Sequence, residues 1–318
     1  MEDESANNSS SNDINMSEGS PPDINNHRKD NTSTQSSINK PCACGKEGCS
    51  CNHEGGKMLS RSYVYAIGRV TPRFPTKSIE LELAQVIGRR PEEDTRGRIN
   101  DEVIYKALTD PDNRYIARQI CYVLTIEGLE TYILIATDPF DIERLAQALR
   151  PAPGIGDIDV IIGMRGPIAP PEMCNGLSIP IVYVDQIYSF DRNALIKAIP
   201  RRKGAREDQF TKTAEVLFNH IIQIADNAGA TDEHRALNYL AVRYDEIYHR
   251  TQLMQDENYS FSAVDVRPSR LSGTRKIVDV IFLYQNRTNM ATHKWFVRVD
   301  VTEEFPFLVS PMQEYFER

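Results

Sequence analysis

The run DQFTKTAEVLFNHIIQIADNAGATDEHRALNYLAVRYDEIYHRTQLM, from Asp208 to Met254, decides the fold class. Its first part, Asp208 to Ala228, sets Phe210, Leu217, Ile221, Ile224 and Ala228 on one helical stripe. Its second, Asp232 to Met254, does the same with Leu237, Leu240, Ala241, Tyr244 and Tyr248. Between them Asn227-Ala-Gly229 is a helix-ending signal, and Thr231 or Asp232 can cap the next helix. The spacing predicts a long antiparallel helical hairpin.

Outward from that hairpin the period changes. On the C-terminal side Phe261 to Val266, Lys276 to Leu283 and Trp295 to Val301 read as strands. On the N-terminal side strands are expected at Tyr63 to Ile67, Ile120 to Ile126, Thr131 to Ala136, Ile158 to Met164 and Ile179 to Val184. Pro72 and Pro75 mark a turn, and Glu-Gly-Leu-Glu between the second and third runs suits a hairpin. Helical spacing recurs at Ser78 to Gly88, after Asn100, from Asp138-Pro139 to Leu149, and at Ala194 to Ile199. There is no regular βαβ alternation. The expected class is α+β, with mixed and antiparallel sheets packed against the central hairpin.

Residues 1–57 read differently. They hold no Phe, Tyr or Trp, and Ser plus Asn fill 17 of the first 40 positions, too little apolar surface to offset the entropy of ordering. We expect a disordered polar tail over 1–57 and a folded domain over 58–318. The whole chain of 318 residues carries 45 acidic against 37 basic side chains, a net charge of −8, which argues against nucleic acid as a main partner. No apolar run reaches the roughly 18 residues of a membrane span, and the acidic, polar start MEDESANNSS does not read as a secretory signal. The expected location is the cytoplasm.

Chemistry is suggested in three places. Cys42-x-Cys44-x4-Cys49-x-Cys51, with His53 two residues on, offers four thiols and an imidazole within the segment 42–53. Four such ligands suit zinc in a closed, structural site; the tight C-x-C pairs leave copper(I) or an iron–sulfur cluster open as alternatives. Cys121 in an apolar strand reads as packing, and Cys174 as an isolated, more exposed thiol.

The second place is the hairpin turn, where Asp232, Glu233, His234, Arg235 and Asn238 crowd the start of a helix near Asp226 and Asn227. A histidine there is disfavoured as a cation by the helix dipole, which suits a base or ligand; the same residues suit a capping network equally well. The third is Ser269-Arg270-Leu-Ser272-Gly273-Thr274-Arg275, where Arg270 and Arg275 could hold a carboxylate or phosphate, or line a plain polar turn. Arg165-Gly166-Pro167 with Asp185-Gln186 and Tyr188 makes a further candidate lip. Neither G-x-S-x-G nor a Rossmann or Walker pattern is present.

Four strings then carry a resemblance: SYVYAIGRV, DNAGATDEHRALNYLAVRY (Asp226 to Tyr244), SRLSGTRKIVDVIF and RVDVTEEFPFL. From about Tyr63 onward the chain resembles the PatA/PatG C-terminal domain family of cyanobactin maturation proteins. The resemblance implies a shared fold and a place in pathways that modify ribosomally made peptides, beside proteases that cut and macrocyclise a precursor. In PatG this domain follows a subtilisin-like protease; here the polar tail and cysteine segment precede it, so protease activity does not carry over. The family domain brings no assigned activity and no catalytic residue. Whether this chain is an enzyme is left open, with the balance against. The expected role is an interaction or accessory domain whose partners are a precursor peptide or peptide-tailoring proteins, with no nucleic acid and no membrane; a homodimer is compatible with it. The alternative is a peptide-tailoring enzyme, metal-dependent or not, built around Asp232, Glu233, His234 and Arg235.

Overall fold

The computed structural model of the chain describes residues 62–88, 101–151, 157–200, 207–224 and 226–316, all within the body Met58–Arg318. The expected tail and the segment 42–53 lie outside the described residues.

Five strands come first: β1 (Tyr63–Arg73), β2 (Cys121–Ile126), β3 (Leu129–Ala136), β4 (Asp157–Ile168) and β5 (Pro180–Asp191). Their order is β1-β2-β3-β5-β4, and β4 pairs back onto β1, so this mixed sheet closes into a barrel. Only β3 and β5 run parallel among these pairs. Strand alternation sorts the side chains. Val64, Ala66, Leu124, Tyr132, Ile161 and Val182 share one apolar cluster, while their neighbours Tyr65, Ile67, Val160 and Ile162 join another. Helices α1 (Lys77–Val86), α2 (Asp101–Thr109), α3 (Arg114–Ala117) and α4 (Pro139–Ala148) pack into the first cluster through Leu83, Leu108, Ile116 and Leu145. Helix α4 begins with the predicted Asp138-Pro139, and Asp138 and Asp141 form a reciprocal capping box.

The second sheet is an antiparallel meander of β6 (Tyr259–Pro268), β7 (Ile277–Asn286), β8 (Thr292–Asp300) and β9 (Phe307–Glu314). Between it and the barrel lie α5 (Arg192–Ala198), α6 (Glu207–Ile222), α7 (Asp232–Arg243) and α8 (Glu246–Asp256). One core cluster joins all three layers: Tyr65 and Val160 from the barrel, Leu217, Ile221 and Leu240 from the helices, Phe282 and Val299 from the sheet.

Four expectations need correction. The central hairpin is three helices: the apolar stripe runs on past Arg243, but the backbone leaves the helix at Tyr244, whose hydroxyl accepts the Met312 N–H of β9 at 3.0 Å. Helix α6 also stops at Ile222, short of Ala228. Pro72 marks no turn; β1 runs through it, pairing with β4 as far as Gly68 and with β2 from Arg69. Cys121 and Cys174 are not isolated thiols, because they form a disulfide, and Cys174 is buried. Their separation of 53 residues is bridged only once the barrel brings the loop after β4 over β2. The pair ties that loop onto an outer apolar patch of Val123, Ile133 and Ile181.

Candidate functional site

The turn between α6 and α7 is wedged against the barrel. Tyr65 donates its N–H to the Gly229 carbonyl at 2.8 Å, and the Tyr132 hydroxyl donates to Ala228 O at 2.9 Å. Asn227 and Asn238 exchange two amide hydrogen bonds of 2.8 and 3.1 Å. Asn238 also donates to Tyr65 O at 2.8 Å, and Asn227 to Ile221 O at 3.1 Å. Both amides are buried and satisfied, which fixes the angle between α6, α7 and β1.

One turn earlier, Thr231 caps α7 by accepting the His234 N–H at 3.1 Å. Asp232 pairs with Lys276 at 3.4 Å and lies 3.7 Å from Arg235. Arg235 is only 2% exposed. It donates to Val301 O at 2.7 Å, to Glu304 O at 3.1 Å and to Glu303 O, and lies over the Tyr63 ring at 5.4 Å. Its guanidinium therefore pins the loop between β8 and β9 to α7. His234 is half-buried; burial depresses its pKa, against the opposing charges of Glu233 and Asp226, so the ring is neutral at pH 7.

Arg235, Tyr239 and Arg243 follow at four-residue spacing and make one polar stripe on α7. Arg243 lies over the Tyr188 ring at 4.7 Å; burial pushes the Tyr65 hydroxyl up to about 12, with the charge of Arg243 opposing. The Tyr239 ring meets Tyr65 edge-on at 6.3 Å. Glu304, beyond the Arg235-held carbonyls, faces Asp185 of β5. Burial, then a hydrogen bond to Asp185 and that group's charge, raise the Glu304 pKa to about 8, with Arg235 opposing. At neutral pH Glu304 therefore keeps its proton.

The pair makes stability depend on pH. Glu304 keeps its proton in the folded state up to about pH 8, whereas its ordinary value is 4.5. The contribution is complete below that ordinary value and is lost as pH rises through about 8. Allowing for solvent screening it amounts to about 1 kcal/mol. The melting temperature of the wild type falls between pH 5 and 8 by more than that of Glu304→Gln, which keeps a neutral donor; parallel curves would mean that Glu304 holds no such proton.

The structure thus brings Asp232, Arg235 and Asn238 into one network, with Glu233 and His234 at its rim. The loop residues do not join it directly. Arg275 pairs with the buried Asp300 and stacks on Phe307 at 5.3 Å, while Arg270 is exposed. Ser272 closes the turn by donating to Ile277 O at 2.8 Å. Asp185 and Tyr188 of the candidate lip do reach the network. Tyr63, Tyr65, Tyr239, Arg243 and Glu304 were missed; the four-residue spacing along α7 was the available signal. Among the described residues no three His, Cys, Asp or Glu side chains gather as metal ligands, and no helix is long and apolar enough to cross a membrane. The clefts of about 300, 260 and 320 Å³ are lined by residues other than Asp232 to Asn238.

Residues 204–315, which hold α6 to β9 and most of this network, match the family model described as PatG C-terminal. This chain carries a PatG C-terminal domain. Among solved structures it is similar to a protein titled "PatG Domain of Unknown Function", with a TM-score of 0.63 and 17% identity, over 80% of this chain and 98% of that one. That likeness is one of fold, and it reaches beyond the family match. No curated protein matches the chain. Relative to the PatG C-terminal match, Tyr63, Tyr65 and Asp185 come from outside residues 204–315.

Proposed function

We propose that the chain is a non-catalytic interaction and accessory domain in the biosynthesis of ribosomally made, modified peptides of the cyanobactin kind, where it recognises a precursor or helps peptide-tailoring proteins assemble. One observation carries the reading: Asn227 and Asn238 hydrogen-bond each other and the carbonyls of Ile221 and Tyr65, while Arg235 donates to those of Val301, Glu303 and Glu304. Groups committed in this way brace an architecture. The PatG C-terminal match supports the pathway. Zinc held by Cys42, Cys44, Cys49, Cys51 and His53 belongs to the same proposal as a structural element.

A second reading, a peptide-tailoring enzyme, is favoured by Glu304, which keeps its proton beside Asp185, since an acid with a displaced pKa serves acid–base chemistry. Mass spectrometry separates the two. Incubated with a candidate precursor peptide, the purified chain leaves its mass unchanged while retaining it on a size-exclusion column. Loss of a segment, or of water on ring closure, in the absence of any other protein sinks the accessory role in favour of the enzyme.

A further inference from the structure

A groove of about 260 Å³ lies between α6, α8 and the first residues of β6, away from the network at the α6–α7 turn. Leu217 and Val216 from α6 and Tyr259 and Phe261 from β6 give it an apolar stretch, with Thr213, Thr251, Gln255 and Ser260 completing the lining. Val216 is 63% exposed there, although it sits in the middle of a helix whose other face is core. His220 meets the Phe261 ring edge-on at 5.0 Å and sets its orientation.

Lys212 and Arg287 flank these walls, both exposed. Neither side chain has an ion-pair partner among the described residues, and no Asp or Glu lines the groove. Two unneutralised cations beside an apolar slot are unusual for a chain of net charge −8, and they complement an anionic, partly apolar ligand. The third feature is β6 itself. It is the outer strand of its sheet, with β7 as its one strand neighbour among the described residues, so one edge of its backbone is left for an added strand.

We propose that this groove binds an extended acidic peptide, with an apolar residue seated against Val216 and Phe261 and flanking carboxylates facing Lys212 and Arg287. The inference deepens the accessory-domain reading by giving it a peptide-binding surface and a ligand chemistry. Main-chain hydrogen bonds to β6 supply affinity that does not depend on sequence; the two cations select for acid on either side of an apolar anchor.

The test uses fluorescence anisotropy with the full chain and a labelled peptide Glu-Glu-Leu-Val-Glu-Glu, its counterpart with Gln for every Glu, and a short oligothymidylate. The acidic peptide binds the wild type, and added salt weakens it. The double variant Lys212→Glu, Arg287→Glu binds it about tenfold more weakly, as does Val216→Asp, and the Gln peptide is correspondingly weak on the wild type. All three side chains are exposed, so circular dichroism and melting stay at the wild-type values. Equal binding by wild type and double variant, no binding by the wild type, or a preference for the oligothymidylate overturns the proposal. Retention of a precursor by the double variant, with no binding of the probe by either chain, removes the groove and leaves the accessory role standing.

Discussion

Arg235→Ala lowers the free energy of unfolding by about 3–5 kcal/mol, read as a fall in the urea midpoint at unchanged slope. The side chain is almost wholly buried and supplies the donors for three consecutive-region carbonyls, Val301, Glu303 and Glu304. Truncation leaves those oxygens without a donor and opens a space the size of a guanidinium beneath the Tyr63 ring. Burial makes the charge itself costly, and the nearby carboxylates of Asp232 and Glu303 offset part of that cost. Arg235→Lys recovers less than half of the loss, because one ammonium cannot reach carbonyls arranged for a planar fork. A loss under about 1 kcal/mol in Arg235→Ala means that water replaces the guanidinium without difficulty, and the bracing argument fails with it.

The second large effect is at Gly229. Its φ is +69°, and an added Cβ would stand 2.3 Å from Tyr65 O and 2.6 Å from the Ala66 Cα. Both obstacles are backbone of barrel strand β1, which is paired there with Ile161 and Ile162 of β4, so neither moves aside readily. Gly229→Ala therefore costs about 3 kcal/mol or more, of which the left-handed backbone accounts for about 1. Gly176 provides the control. Its φ is +85° and nothing lies within 4 Å of an added Cβ. The Ala variant there costs only about 1 kcal/mol, the backbone share alone. Equal losses at the two glycines, measured by thermal and urea unfolding, leave no role for the close approach between the α6–α7 turn and β1.

Elements set by neighbouring residues were legible in the sequence. Asp138-Pro139 starts a helix because the cap, the proline and Asp141 act within one turn. Glu127-Gly128 reverses the chain between β2 and β3 because both residues take positive φ, 49° and 84°. Where tertiary contact decides, local signals misled. Pro72 carries a turn signal, yet its place opposite Tyr122 in the barrel keeps it extended. FPFLVSPMQ, with two prolines, did not read as a strand, but β9 forms there with shifted register against β8. The polar cluster at Asp232 to Asn238 was visible as composition. What it touches was not, since the carbonyls held by Arg235 and the Asp185 that meets Glu304 are far away in the chain.

The apolar cluster shared by Tyr65, Val160, Leu217 and Phe282 has a consequence for where the protein can be divided. The family match begins at residue 204, but a cut there strips the helical layer of one of its two walls and uncouples Asn238 from the carbonyl of Tyr65. Barrel and meander are joined too closely to melt apart. Calorimetry sees them as one cooperative transition, and any transplant of this fold into another polypeptide has to carry the barrel along with the recognised segment.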